Sequence, residues 1–161
     1  MRAGALGPAC LKRDVIQMPT YVVRAPLGLL SDGSKNELAA AITRIHAAVS
    51  GDKEVFVQVI FRGIASNDCY VGGKPLSSAH CFIQGHIREG WSAVVRAELI
   101  SGILPAVCTI LGVPRYAVWV YLSELPARAM SEFGHILPKP GDEDSWLANL
   151  PDEDRRRLLS L

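Results

Sequence analysis

The sequence predicts an α/β fold: two consecutive β-α-β units forming a four-stranded sheet with two helices on one face, followed by a C-terminal tail. Three observations carry this prediction. Short runs rich in β-branched and aromatic residues read as strands at Tyr21 to Val23, Glu54 to Phe61, His80 to Ile87 and Ala117 to Leu122. Between the first and second runs, and between the third and fourth, apolar residues recur at helical spacing. The order is therefore strand–helix–strand, twice. Each unit needs a crossover, so its two strands run parallel with a right-handed connection.

The first strand follows Pro19 and leads into a loop, LGLLSDGS. Ser34 and Glu37 then stand at capping-box spacing, which predicts a helix start there. Leu38, Ile42, Ile45 and Val49 line one helical face, and Gly51 is a natural stop. The segment from Arg62 to Ser78 holds Gly, Asn, Asp, Pro and Ser and reads as a long connection. A second helix spans Trp91 to Gly112, with Val95, Leu99, Ile103, Val107 and Leu111 on one face. Pro105 should kink or interrupt it. After Leu125, ARAMSEFG reads as one or two helical turns, and Pro138, Pro140 and Gly141 break the chain. The final PDEDRRRLLSL places acids before bases, as a helix dipole prefers, and predicts a short helix with a solvated charged face. With both helices on one side of the sheet, the opposite side is expected to be apolar and uncovered, which predicts oligomerisation.

Composition narrows the function classes. The chain has 161 residues, 49% apolar and 20% charged, which suits one globular domain with a real core. A net charge of +1 gives no basic footprint for nucleic acid. The uninterrupted apolar runs are too short for a membrane span. Cys10, Cys69, Cys81 and Cys108 show no metal-ligand or redox spacing, and Cys81 and Cys108 sit among apolar neighbours as packed thiols. That pattern suggests a reducing, cytoplasmic location. His46, His80, His86 and His135 form no zinc pattern, and no metal is expected. The first 17 residues, Met1 to Gln17, hold Gly, Pro and charge without an apolar stretch of signal-peptide length.

Pro19 directly follows Met18. An internal proline nitrogen is an amide without basicity. A proline made amino-terminal is a secondary amine that exchanges a proton near neutral pH, and methionine is readily removed before proline. Alone, Met-Pro is a common way to open a strand. In company it says more. MPTYVV, a capped helix and EVFVQVIF together resemble the opening of the tautomerase superfamily. REGWSA (Arg88 to Ala93), WVYLSELPARAMSEFG (Trp119 to Gly134) and HILPKPGDEDSW (His135 to Trp146) resemble later segments of its cis-3-chloroacrylic acid dehalogenase family. The resemblance runs from Pro19 to about Asn149 with little or no need for gaps. It implies a tautomerase-type domain over residues 19–161, preceded by an extension, residues 1–18, expected to be flexible or absent from the mature chain.

The resemblance also implies roles. Pro19 would be the acid–base group, Arg88 with His46 would bind the carboxylate of a small substrate, and Tyr121 and Glu132 would position and activate water. One position departs: Trp91 stands where the dehalogenases carry a second arginine. A charged hydrogen bond contributes roughly 1.5–3 kcal/mol, so its loss costs about one to two orders of magnitude. An indole donates one N–H and carries no charge. Efficient dehalogenation is therefore not expected, and a smaller, less charged or more aromatic substrate fits better. The expected function is a cofactor-independent tautomerase or hydratase acting on a small unsaturated or keto carboxylic acid, as a homotrimer. The alternative is a non-catalytic binding or scaffold protein on the same fold, which holds if Pro19 is never exposed as the amino terminus.

Overall fold

The computed structural model describes residues 19–51, 54–65, 67–76 and 78–160. The extension 1–18, with Cys10, lies outside them. Strand β1 (Thr20–Pro26) leads through a 3-10 turn into helix α1 (Asp32–Ser50), and β2 (Gln58–Ile64) follows. Two short strands, β3 (Tyr70–Val71) and β4 (Lys74–Pro75), form a hairpin turned by Gly72 and Gly73, both at positive φ. The second unit is β5 (Cys81–Arg88), α2 (Ala93–Leu111) and β6 (Val118–Leu125). A second hairpin, β7 (Ser131–Glu132) and β8 (His135–Ile136), precedes α3 (Glu143–Asn149) and α4 (Asp152–Leu159).

The main sheet has the order β2-β1-β5-β6. As expected, β1–β2 and β5–β6 are parallel, and the two units meet through the antiparallel pair β1–β5. Alternation along β1 buries Tyr21, Val23 and Ala25 completely, and β5 buries Cys81, Ile83 and Ile87 in the same way. Leu38 and Ile42 of α1 and Leu99, Ile103 and Val107 of α2 close the core over that face. The two helices also touch at Gly102, where a Cβ would stand 2.8 Å from Ile45 Cγ2. A second cluster fixes the tail: Leu137, Leu150 and Leu158 bury against Phe56 and Ala127. Each such leucine contributes roughly 1.5–3 kcal/mol, enough to hold the tail against the domain.

Several sequence expectations need correction. Helix α1 is capped by Ser31, not Ser34: Ser31 is extended and its Oγ accepts the Ser34 N–H at 3.1 Å. Glu54–Phe56 is a 3-10 turn that swings the chain into the sheet, so β2 starts at Gln58 and runs on to Ile64 while it pairs with β1. The connection from Arg62 is accordingly shorter, and it contains the β3–β4 hairpin. Helix α2 runs through Pro105 without a break. Pro105 and Ser101, whose carbonyl loses its helical partner, both lie on the exposed side, where that carbonyl is open to solvent. Residues 127–134 do not form helical turns beyond a 3-10 turn at Ala127–Ala129; Phe133 and Gly134, at φ 50° and 86°, close the β7–β8 hairpin.

By length and composition α2 meets the criterion for a membrane-crossing helix, which counting uninterrupted apolar runs does not reveal. In this fold its buried stripe packs on α1 and the sheet. The opposite sheet face is mixed where an apolar one was expected. Arg24 donates to Gln84 at 3.1 Å and lies over the Phe82 ring, while Trp119 and Tyr121 stand exposed beside them.

Candidate active site

Pro19 immediately precedes β1 and is fully buried. Its carbonyl accepts the Gln58 N–H at 3.0 Å, which ties it to the start of β2. Tyr21 comes next on the helix-facing side of β1. Its ring fits there because Gly85 lies opposite on β5; a Cβ on Gly85 would stand 2.7 Å from Tyr21 Cε1. The Tyr21 hydroxyl shares a 2.7 Å hydrogen bond with Nδ1 of His46, which α1 presents completely buried. Trp91 closes the group, with its ring centroid 5.2 Å from that of His46. The Trp91 backbone is pinned in turn. Its N–H donates to Glu124 at 3.2 Å, and Arg96 bonds both the Trp91 carbonyl and Glu124 at 2.6 Å.

Arg88 ends β5. Thr20 pairs with His86, so Arg88 lies just past the Pro19 end of β1. Its guanidinium is buried and already engaged: one nitrogen donates to the Pro138 carbonyl at 2.8 Å, and another forms an ion pair with Glu143. The second Glu143 oxygen accepts the Gly141 N–H at 2.8 Å. Arg88 Nε is buried with no acceptor among the described residues. Glu132, on β7, is half-buried, and burial pushes its carboxyl up to about 7 against the opposing pull of the Arg88 charge.

The structure thus gathers His46 and Trp91 into one cluster and sets Arg88 at the Pro19 end of β1, with Glu132 close enough to feel the Arg88 charge. It does not bring Tyr121 to them. Tyr121 lies on the opposite sheet face, edge-on to Phe82 with centroids 5.0 Å apart. There it lines a groove of about 510 Å³ with Arg24, His80, Trp119 and the β3–β4 hairpin. Sequence reasoning missed Tyr21 and Glu143. Tyr21 looked like any strand residue, although its parity with Pro19 placed it on the same face. Glu143 offered no signal, because it meets Arg88 across 55 positions of chain.

Comparison with known proteins agrees with this architecture. Residues 18–149 match the family described as "Putative oxalocrotonate tautomerase enzyme". The structure of N1, a member of the cis-3-chloroacrylic acid dehalogenase family, is 31% identical, with a TM-score of 0.80; the match covers 88% of this chain and 99% of N1. Native Ps01740 is 26% identical at a TM-score of 0.66, covering 70% of this chain and 99% of its own. A fused 4-OT symmetric trimer shares the fold at 22% identity and a TM-score of 0.67, covering 73% of this chain and 94% of its own. Among curated proteins none matches. The chain belongs to the tautomerase superfamily and, within it, to the cis-3-chloroacrylic acid dehalogenase family.

Proposed function

We propose that this protein catalyses proton transfer on a small keto or α,β-unsaturated acid, or its neutral carbonyl counterpart, without a cofactor, using Pro19 as an amino-terminal acid–base group. The observation that carries the reading is the grouping, in a tautomerase-superfamily chain, of Arg88 and the half-buried Glu132 at the sheet end where Pro19 begins β1. In tautomerisation, neutral Pro19 takes a proton from the enol oxygen or the carbon and returns it to the other. Buried donors nearby stabilise the charge that develops on oxygen. In hydration, Glu132 activates water and protonated Pro19 delivers a proton to the adjacent carbon. A carboxyl near 7 is half-ionised at neutral pH, which suits it to that second task. Trp91 adds no charge where a second arginine would, so dehalogenation is disfavoured.

Tyr121 cannot serve the Pro19 of its own chain from the opposite sheet face. In the homotrimer we propose, by analogy with the trimeric fused 4-OT fold relative, its hydroxyl would serve a neighbouring copy. The chemistry requires Pro19 with a free nitrogen. The test is turnover of an enolised aryl pyruvate by a chain made to begin at Pro19, compared with its Pro19→Ala and Glu132→Gln variants. Pro19→Ala should lose about 10²–10⁴-fold of that tautomerisation, and Glu132→Gln should lose as much of the hydration of an α,β-unsaturated acid, the reaction in which Glu132 acts. Unchanged turnover in both would leave the non-catalytic, ligand-binding reading in its place.

A further inference from the structure

We infer that the ion pair between Arg96 and Glu124 is a positioning device: it clamps the Trp91 backbone on both sides and so aims the indole at His46 rather than back onto the helix it precedes. The inference rests on the proposed function in taking the Trp91–His46 cluster as a wall of the active site.

Three observations support it. First, the clamp is complete. Glu124, near the end of β6, accepts the Trp91 N–H at 3.2 Å, and Arg96, early in α2, donates to the Trp91 carbonyl at 2.6 Å. The same guanidinium nitrogen reaches the Glu124 oxygen at 2.6 Å, so the two holders are joined to each other. They come from different elements, which fixes the Trp91 backbone against sheet and helix together. Hydrogen bonds from and to charged groups are also stronger than neutral ones.

Second, the clamp stands where an apolar contact is usual. Ser92 caps α2, its side chain accepting the Val95 N–H at 3.2 Å. Trp91 is therefore the residue before the cap, and Arg96 is the fourth residue of the helix. Apolar side chains at those two positions ordinarily pack on each other and fix the angle at which the chain joins the helix. Here the fourth position bonds the Trp91 backbone through a guanidinium. At the same position of α1, Lys35 pairs with Asp32 within the helix instead.

Third, the ring is used elsewhere. The Trp91 indole is buried, with its centroid 5.2 Å from that of His46 on α1. One ring cannot both pack along α2 and stand against His46. With the backbone angle set by the ion pair, the indole is left for the site.

Arg96 and Glu124 act through Trp91, so they are positioning residues. The experiment follows the His46 ring protons by NMR in the full chain and in four variants. Trp91→Leu marks where those signals fall without the indole ring current. Arg96→Leu breaks the clamp and supplies the apolar fourth residue, and Glu124→Ala removes the other holder. Both should move the His46 signals most of the way toward the Trp91→Leu values. Glu124→Gln keeps an acceptor for the Trp91 N–H and should leave them near the wild type. In chains made to begin at Pro19, kcat/KM for the enolised aryl pyruvate should fall about tenfold to a hundredfold in Arg96→Leu and Glu124→Ala. A merely structural pair would lower the melting temperature and leave the His46 signals in place, and that result would overturn the proposal. Signals that move while kcat/KM stays unchanged would overturn it too. If one disrupting variant does not fold, the other decides. An enzyme inactive in every form would sink the acid–base reading, and the His46 signals would still decide this one.

Discussion

Glu132 sits in surroundings that favour its neutral form. In the unfolded chain its carboxyl titrates near 4.5, and in the folded chain near 7. Between those values the folded chain holds a proton that the unfolded chain has released. Stability is therefore highest below pH 4.5 as far as this group is concerned, falls as pH rises through the window, and levels off above about 7. Glu132→Gln should raise the melting temperature at pH 8 and leave it nearly unchanged at pH 4, as read by thermal unfolding at the two values. The buried His46 makes a different prediction. Tyr21→Phe removes its 2.7 Å hydrogen-bond partner and should cost about 1–3 kcal/mol in urea unfolding. At this scale the sequence named His46, Arg88, Trp91 and Glu132, but not what each would touch. Tyr21 and Glu143 meet their partners across 25 and 55 positions of chain, and no local pattern encodes such contacts.

The elements owe their ends to residues that are easy to name and easy to misplace by one turn. Both long helices start at an extended serine, Ser31 or Ser92, whose side chain accepts the N–H three residues on, and both stop at a glycine in the left-handed region. Ser34, with Glu37 three residues on, carries the capping-box pattern that Ser31 lacks. The choice fell to Ser31 because its extended backbone lets the helix begin at Asp32. Ser31→Ala should cost about 1 kcal/mol by chemical denaturation, and Ser34→Ala less. Inside the sheet, Gly85 is fixed by packing rather than by turn geometry. A methyl there would stand 2.7 Å from the Tyr21 ring and 2.8 Å from Leu122 Cδ2. Gly85→Ala should cost about 1–3 kcal/mol and displace Tyr21 from His46, visible as a changed His46 ring signal in NMR. Glu54 to Phe61 shows the limit of composition. Its β-branched run reads as one strand, yet the first three residues turn, because pairing with β1 begins only at Thr20 and Gln58.

For the whole molecule, the two sheet faces carry different work. One is closed by α1 and α2 over a continuous core. The other presents Arg24, Gln84, Phe82, Trp119 and Tyr121 in a mixed, grooved surface. In the proposed trimer, that face lends Tyr121 to a neighbour. The mass in solution should then be about three times 17.4 kDa by light scattering. Co-refolding Pro19→Ala with Tyr121→Phe should restore part of the activity that each lacks alone, since some mixed sites would hold an intact Pro19 and an intact Tyr121. A monomeric mass, or no recovery on mixing, would contradict the arrangement.

By itself the sequence determined the two β-α-β units, the direction of their paired strands, the faces of the helices and the family, because these follow from local periodicity, crossover geometry and segment resemblance. Tertiary structure alone decided that the units join through antiparallel β1 and β5, that Tyr121 faces away from Pro19, and that Arg88 is already answered by Glu143. These depend on which distant residues share the space left when the core closes. That is a property of packing among whole elements, which spacing along the chain does not carry.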